Sequence, residues 1–139
     1  MDIRIMGIDD YDQVVALWKN TPGMGLNDVD DSIQGIARYL ARNENSCFVA
    51  VASSQVIGAI LAGHDGRRGF IYHLAVAPSF QNQGIGKALV FRGLDALAKE
   101  GVTKVALVAF KSNESGNAFW KKVGFTFRDD LVYRNRSLA

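Results

Sequence analysis

Two glycines and a lysine carry the clearest chemical signal in the sequence. Gly84, Gly86 and Lys87 follow an apolar run, 74–77, and a polar turn, and they stand at the predicted start of a helix. The first amides of a helix have no partner within it and carry a partial positive charge, so they bind anions. Glycines without Cβ atoms let a phosphate approach the backbone, and the lysine adds a cation. The segment therefore predicts a phosphate site.

Two common nucleotide-binding motifs do not describe this site. A P-loop has serine or threonine after its Gly-Lys pair, whereas Ala88 follows Lys87 here. The dinucleotide-binding fingerprint needs a third glycine or alanine where Leu89 stands, and an acidic residue in the next predicted strand, 104–110, which has none. Both interpretations are therefore excluded.

Two segments resemble motifs of the GNAT superfamily of N-acetyltransferases. The first, Gln81-x-x-Gly84-x-Gly86, is similar to the Gln/Arg-x-x-Gly-x-Gly/Ala turn after the fourth strand of that superfamily. The second, residues 113–125, is similar to its Asn-x-x-Ala/Gly-x-x-φ-Tyr-x-x-x-Gly-Phe helix and strand start. The agreement covers roughly residues 56–127, and the segments 65–69 and 119–122 look like a narrower subgroup of small bacterial acetyltransferases.

The resemblance implies acetyl-CoA as cosubstrate and no metal. The pyrophosphate is expected on the amides of residues 83–88, and the pantetheine arm beside the strand 70–77, where it pairs as an added strand does. Asn113 is expected near that arm, and Phe119 and Trp120 in the slot between the fourth and fifth strands, although Phe119 fits a core role equally well. The residues expected to bind acetyl-CoA are Leu74, Ala75, Val76, Gln81, Asn82, Gln83, Gly84, Ile85, Gly86, Lys87, Ala88, Asn113, Phe119 and Trp120.

The expected reaction is direct attack by a primary amine on the thioester, with both substrates bound together. A backbone N–H of Ala75 or Val76 is expected to stabilise the developing oxyanion. Some members of the superfamily use a glutamate on the fourth strand as base, but the strand 70–74 contains no acid. His73 and Tyr72 are the polar candidates there, and strand alternation predicts that they face opposite sides of the sheet.

Trp120 is a second departure from the pattern of the superfamily. Many members have tyrosine at this position to protonate the departing thiolate, and an indole N–H does not transfer a proton in this way. Water or Tyr133 is the expected substitute, so Tyr72, His73 and Tyr133 are the candidate catalytic residues. Cys47 is expected to be a small buried side chain without a catalytic role.

The order of predicted elements is β-α-α-β-β-β-α-β-α-β-β, which indicates a mixed sheet with helices on both sides. With the resemblance, this predicts an α+β GNAT fold with a mostly antiparallel sheet of six to seven strands and about four helices, splayed between the fourth and fifth strands. The predicted helices are 10–20, 28–42, 84–99 and 114–122, and the later strands are 47–53, 56–62, 70–77, 104–110, 125–128 and 131–134.

The charges are divided unevenly along the chain. Residues 1–66 contain four basic and nine acidic residues, whereas residues 67–139 contain twelve basic and five acidic ones. This division fits either chance or an acidic acceptor side that favours a cationic amine. By resemblance, the loop 20–27 and the helix after it roof the acceptor pocket, where the acids at 28, 30 and 31 attract an ammonium group. Acids at a helix start also have a purely structural use.

Length and composition limit the domain count, the cysteine chemistry and the class of protein. The 139 residues fit a single domain, 1–139, and the single cysteine excludes an intramolecular disulfide or a multi-cysteine zinc site. Without a signal-like N-terminus or a long apolar run, we expect a cytoplasmic protein that is a monomer or homodimer and binds neither membrane nor nucleic acid. The leading hypothesis is an N-acetyltransferase acting on a small molecule or peptide, and the alternative is a non-catalytic acyl-CoA sensor or interaction module.

Overall fold

The chain forms two compact units, Met1–Val108 and Ala109–Ala139, in a computed structural model that describes all 139 residues. The single domain 1–139 stays a prediction. No helix is both long and apolar enough to cross a membrane. The elements of the first unit are β1 (Asp2–Ile5), α1 (Tyr11–Lys19), α2 (Ile33–Arg42), β2 (Phe48–Ala52), β3 (Gln55–His64), β4 (Gly69–Val76), α3 (Ile85–Lys99) and β5 (Val105–Leu107), and the second unit contains α4 (Glu114–Lys122).

The five strands form one sheet in the order β1-β2-β3-β4-β5. All neighbours are antiparallel except β4 and β5, which are parallel, so the predicted mixed, mostly antiparallel sheet is confirmed. β4 pairs with β5 only over Gly69–Ile71. The outer edge of β4 from residue 72 to residue 76 therefore has no neighbouring strand, as the predicted separation of the fourth and fifth strands requires.

Helices cover both faces of the sheet. Trp18 of α1 and Ile36 of α2 are buried with Ala59 of β3 in one core cluster. On the other face, α3 lies against β3, and a Cβ atom at Gly58 would come within 3.1 Å of the Leu89 side chain. Glycine at this position therefore lets the helix lie close to the strand.

Several predicted elements differ in the structure. The closing strands at 125–128 and 131–134 are absent, so the sheet has five strands rather than six to seven. Their apolar residues are exposed, with Phe127 83% and Val132 72% accessible. A strand needs a neighbour that supplies hydrogen bonds, and residue composition alone does not provide one. The predicted strand 104–110 is also shorter, Val105–Leu107.

The second helix begins later than predicted. Ser32 caps α2, because its hydroxyl oxygen accepts from the Gly35 amide at 3.0 Å, and the residues before it form a turn. Asp28, Asp30 and Asp31 therefore precede the helix and do not occupy its first turn, so stabilisation of the helix dipole does not account for them.

Candidate active site

A bulge in β4 places two polar side chains on the same face of the sheet. Ile60 pairs with Leu74 and Ala62 pairs with Ile71, so Tyr72 and His73 together stand opposite Leu61. An extra residue of this kind shifts the alternation of side chains by one position. The prediction that Tyr72 and His73 face opposite sides was therefore wrong, because strict alternation does not hold through a bulge.

His73 pairs with an acid from a distant loop. Its Nε2 lies 2.9 Å from Oδ1 of Asp31, and the two side chains are only 10% and 13% exposed. Burial raises the pKa of Asp31, but the hydrogen bonds from His73 and from the Asn27 amide outweigh it, and the pKa is lowered on balance. An ionised carboxylate only accepts, so we assign the proton of the neutral ring to Nε2, which leaves a lone pair on Nδ1.

The turn before α2 holds Asp31 in place through its own polar groups. The side-chain oxygen of Asn27 accepts from the amides of residues 29 and 30, and Asp31 Oδ2 accepts from the Asn27 amide at 2.8 Å. The Tyr11 hydroxyl donates to the Asp31 carbonyl at 2.7 Å. A Cβ atom at Gly35 would collide with the carbonyl of Asp30. Glycine at position 35 is therefore required for this close approach of turn and helix.

A pocket of about 460 Å³ opens beside the Asp31–His73 pair. Its volume lies within the range of about 300–1,000 Å³ typical of small-molecule sites. We call it the acceptor pocket. It is lined by Gly25, Asn27, Asp30, Asp31, Gly35, Ile36, Arg38, Tyr39, Arg42, Leu61, Tyr72 and His73.

Aromatic rings form part of the surroundings of the acceptor pocket. The Tyr72 ring packs against Tyr39 and Phe70, with centroids 5.7 and 4.7 Å away, and the His73 ring lies 4.7 Å from that of Trp18. The hydroxyl of Tyr39 and the indole N–H of Trp18 are buried without a hydrogen-bond partner. Burial raises the pKa of Tyr39. Tyr39 is therefore neutral at physiological pH and does not compete with His73 as a base.

The glycine-containing turn after β4 has the backbone form that an anion site needs. Its glutamine, Gln81, donates from its side-chain amide to the Val76 carbonyl at 3.0 Å and so ties the turn to the strand. Asn82 and Gly84 have φ of 63° and 81°. The amides of residues 85–87 have no partner in the chain, whereas that of Ala88 donates to the Gly84 carbonyl. The predicted range of 83–88 is therefore too long, since the Ala88 amide is already used.

The side chains of this turn divide between interior and solvent. Ile85 is 4% exposed and packs into the core, so only its backbone N–H faces a ligand. Gln81, Asn82, Gln83 and Lys87 are exposed. The ammonium group of Lys87 lies 6.0 Å from the centroid of the Phe91 ring.

The open edge of β4 offers backbone groups for an added strand. The Ala77 amide donates to the Ile57 carbonyl at 2.8 Å, and backbone groups alternate in direction along a strand. The N–H of Ala75 therefore points into β3, while those of Leu74 and Val76 point to the open edge. Ala75 is also 3% exposed. Of the two backbone N–H groups predicted to stabilise the oxyanion, only that of Val76 points to the open edge.

The second unit carries the other predicted site residues. Asn113 caps α4, because its Oδ1 accepts from the Gly116 amide at 3.0 Å. The Trp120 ring contacts those of Phe119 and Phe125, with centroids 5.1 and 5.3 Å away. Tyr133 is 66% exposed and lies outside any helix or strand. The roles of Asn113, Phe119, Trp120 and Tyr133 stay predictions.

Cys47 has no part in this site. It is 1% exposed, and its thiol lies 3.3 Å from the Ala62 carbonyl oxygen. Burial raises its pKa to about 12, and the predicted burial of this cysteine is confirmed. The structure holds no group of three His, Cys, Asp or Glu side chains arranged to bind a metal ion.

Sequence reasoning missed the partner of His73 and four pocket-lining or neighbouring residues. Asp31 lies 42 positions away, and no spacing rule connects a loop acid to a strand histidine at that separation. For Arg38 and Arg42 the sequence indicates only that they share a helix face, because they stand four residues apart. The missed residues are Trp18, Arg38, Tyr39 and Arg42.

The whole chain is similar to known acetyltransferases. A model of the acetyltransferase (GNAT) family matches residues 12–125. An acetyltransferase of Photorhabdus laumondii is 34% identical over 141 aligned positions, which cover 100% of this chain and 97% of that protein. An acetyltransferase of Sodalis glossinidius is 29% identical over 99% of this chain and 96% of its own length.

Solved structures of acetyltransferases share the fold. The PaiA N-acetyltransferase of Thermoplasma acidophilum, in complex with coenzyme A, superposes with a TM-score of 0.79 at 22% identity, over 92% of this chain and 91% of that one. The aminoglycoside N-acetyltransferase AAC(6')-Iy, in complex with a bisubstrate analogue, superposes with a TM-score of 0.76 at 21% identity, over 98% of both chains.

Proposed function

Because the chain belongs to the acetyltransferase (GNAT) family, we propose that it transfers the acetyl group of acetyl-CoA to a primary amine held in the acceptor pocket. The observation that carries the proposal is the buried Asp31–His73 pair on the pocket wall. His73 of this pair stands on β4, the same strand whose open edge leads into the glycine-containing turn. One strand thus connects a donor site to a proton acceptor.

The residues present fit acetyl-CoA, which supplies an acetyl group activated as a thioester. The unpartnered amides of residues 85–87 would hold the pyrophosphate, and the exposed Lys87 adds a positive charge. The outward backbone groups of Leu74 would hold a pantetheine amide. The Val76 carbonyl already accepts from Gln81, so this residue offers only its N–H. That N–H is our candidate donor to the carbonyl oxygen of the acetyl group.

His73 is the proposed proton acceptor. A protonated amine is not a nucleophile, so a group in the pocket must take up a proton, directly or through one water molecule. Asp31 holds the imidazole by its Nε2–H at 2.9 Å, which leaves Nδ1 to accept. Asp31 is thus a positioning residue, and it stabilises the imidazolium that forms. The acid that the strand itself lacks is supplied from the turn before α2.

Tyr72 and Tyr133 keep lesser roles in this proposal. Tyr72 lines the acceptor pocket and is 57% exposed, which suits contact with the acceptor more than proton transfer. The role of Tyr133 stays a prediction, and water can protonate the thiolate, since the indole N–H of Trp120 does not transfer a proton in this way. A thiolate of an ordinary thiol, with a pKa of about 8.5, also departs without such help.

Release of free thiol from acetyl-CoA in the presence of single amines tests the proposal. The panel contains alkylamines, diamines, amino acids, aminoglycosides and peptides with free N-termini. We expect release that depends on the amine, with the acetylated amine identified by mass spectrometry. Tight binding of CoA by calorimetry without transfer to any amine would instead support the acyl-CoA sensor, and the absence of CoA binding would contradict both functions.

A further inference from the structure

Two arginines on the pocket wall have no partner. Arg38 and Arg42 both line the acceptor pocket and are exposed, and neither forms an ion pair or a hydrogen bond. They stand four residues apart on α2, where two like charges disfavour the helix. The pocket therefore presents two free guanidinium groups side by side on one helix face.

The acids of the pocket do not neutralise these arginines. Both oxygens of Asp31 are engaged, one by His73 and the other by the Asn27 amide. The carboxylate of Asp30 lines the pocket and forms no ion pair with either arginine. The pocket wall thus has one unpaired carboxylate, that of Asp30, on the turn before α2, and two unpaired guanidinium groups on α2 itself.

We propose that the acceptor is an amine that also carries an anionic group, a carboxylate or a phosphate, with the anion bound by Arg38 and Arg42. This rests on the proposed function, whose acceptor class it specifies. Guanidinium groups bind both anions through paired hydrogen bonds, and Asp30 and the Asp31–His73 pair are the groups of the pocket lining that suit the amine. The pocket volume of about 460 Å³ limits this acceptor to a small molecule or the end of a peptide.

This assignment departs from the cationic acceptor that the division of charge favours. A diamine or polyamine of comparable length would place a second ammonium group against two unpaired guanidinium groups, and its charge would be repelled there. The acidic surplus of residues 1–66 is a property of the whole segment, whereas the acceptor meets only the residues of the pocket wall.

Acceptors of equal chain length that differ only in the terminal group test the assignment. The set is 4-aminobutanoate, butylamine and 1,4-diaminobutane, with 3-aminopropyl phosphate for the phosphate arm and glycine, β-alanine and longer ω-amino acids to vary the spacing. We expect kcat/KM for the best carboxylate or phosphate acceptor to exceed that for its alkylamine and diamine counterparts by about tenfold or more. Whichever of the carboxylate and phosphate acceptors has the higher kcat/KM identifies the anion that the pocket prefers.

Single arginine variants test whether Arg38 and Arg42 cause this preference for an anionic acceptor. Arg38→Gln and Arg42→Gln should each lower the ratio of kcat/KM for the anionic acceptor to kcat/KM for the alkylamine about tenfold, with the affinity for CoA unchanged. Arg67→Gln is the matched control, because Arg67 is exposed in the turn after β3, away from the pocket lining, and the charge change is the same.

Each outcome bears on the assignment. A preference for the diamine or the alkylamine, or an anion preference that survives in both arginine variants, would overturn it while the acetyltransferase function stands. Binding of CoA with no acetylation of any amine in the set or in the wider panel would overturn the proposed function and this assignment together.

Discussion

Replacement of His73 by glutamine tests the proton acceptor most directly. His73 is held by a single side-chain hydrogen bond, from Nε2 to Asp31 at 2.9 Å. The side-chain amide of glutamine can donate the same bond, but it has no nitrogen lone pair that accepts a proton near neutral pH. His73→Gln therefore removes the basicity of the side chain and preserves much of its shape and its link to Asp31.

The expected loss of activity follows from the contribution of a general base. Such a group typically contributes about 10²–10⁴-fold, so we expect kcat to fall by that factor. The cost in stability is smaller, because the hydrogen bond is retained and the main loss is the contact with the Trp18 ring at 4.7 Å. Aromatic contacts of this kind contribute about 0.5–1.5 kcal/mol, so the free energy of unfolding should fall by about 1 kcal/mol.

The assay combines steady-state thiol release with calorimetry of CoA binding. CoA affinity should stay unchanged, since His73 bonds to Asp31 in the acceptor pocket and not to the glycine-containing turn.

His64→Gln is the matched control for this experiment. His64 is the other histidine of the chain, it contacts Glu100 at 3.3 Å, and it does not line the acceptor pocket. This variant should keep wild-type kcat. If His73→Gln also kept wild-type kcat, no imidazole would act as the base and our mechanism would be wrong.

Three further predictions concern the donor site, stability and the cysteine. Gly84→Val should weaken CoA binding at least tenfold by calorimetry. Gly101→Val is the control, because Gly101 has a similar φ of 90° and equally open surroundings, and it should leave CoA binding unchanged. Equal losses of CoA affinity in both variants would indicate backbone strain alone. Asp10→Asn should lower the free energy of unfolding in urea by about 1–2 kcal/mol at pH 7, because the Arg4 hydrogen bonds and the Gly7 amide outweigh burial and lower the pKa of Asp10. With a lowered pKa, this contribution is complete above the carboxyl's unfolded pKa and is lost as the pH falls below about 4, so wild type and variant should converge in acid. Cys47 should resist thiol reagents in the folded protein and react only after unfolding; rapid labelling of the native protein would contradict its burial.

Much of the donor site was accessible from the sequence because it is local. Gln81, Gly84 and Gly86 lie within six residues, and the direction of helix amides after such a turn depends on the adjoining backbone. The same holds for the cap of α4 by Asn113 and for most helices, whose apolar spacing is contained in one segment. Within the turn itself, only the use of the Ala88 amide needed the structure.

The acceptor side depended on tertiary structure throughout. The sequence shows Asp31, Arg38, Arg42 and His73 and the acidic surplus of its first half. It does not show which of these side chains contact one another. A bulge in β4, the late start of α2 and the turn held by Asn27 decide that His73 receives a carboxylate from 42 residues away. The missing closing strands have the same cause, since pairing between strands depends on neighbours and not on composition. Local backbone geometry therefore determined the proposed anion site, and the register of the sheet decided which side chains of β4 face the pocket.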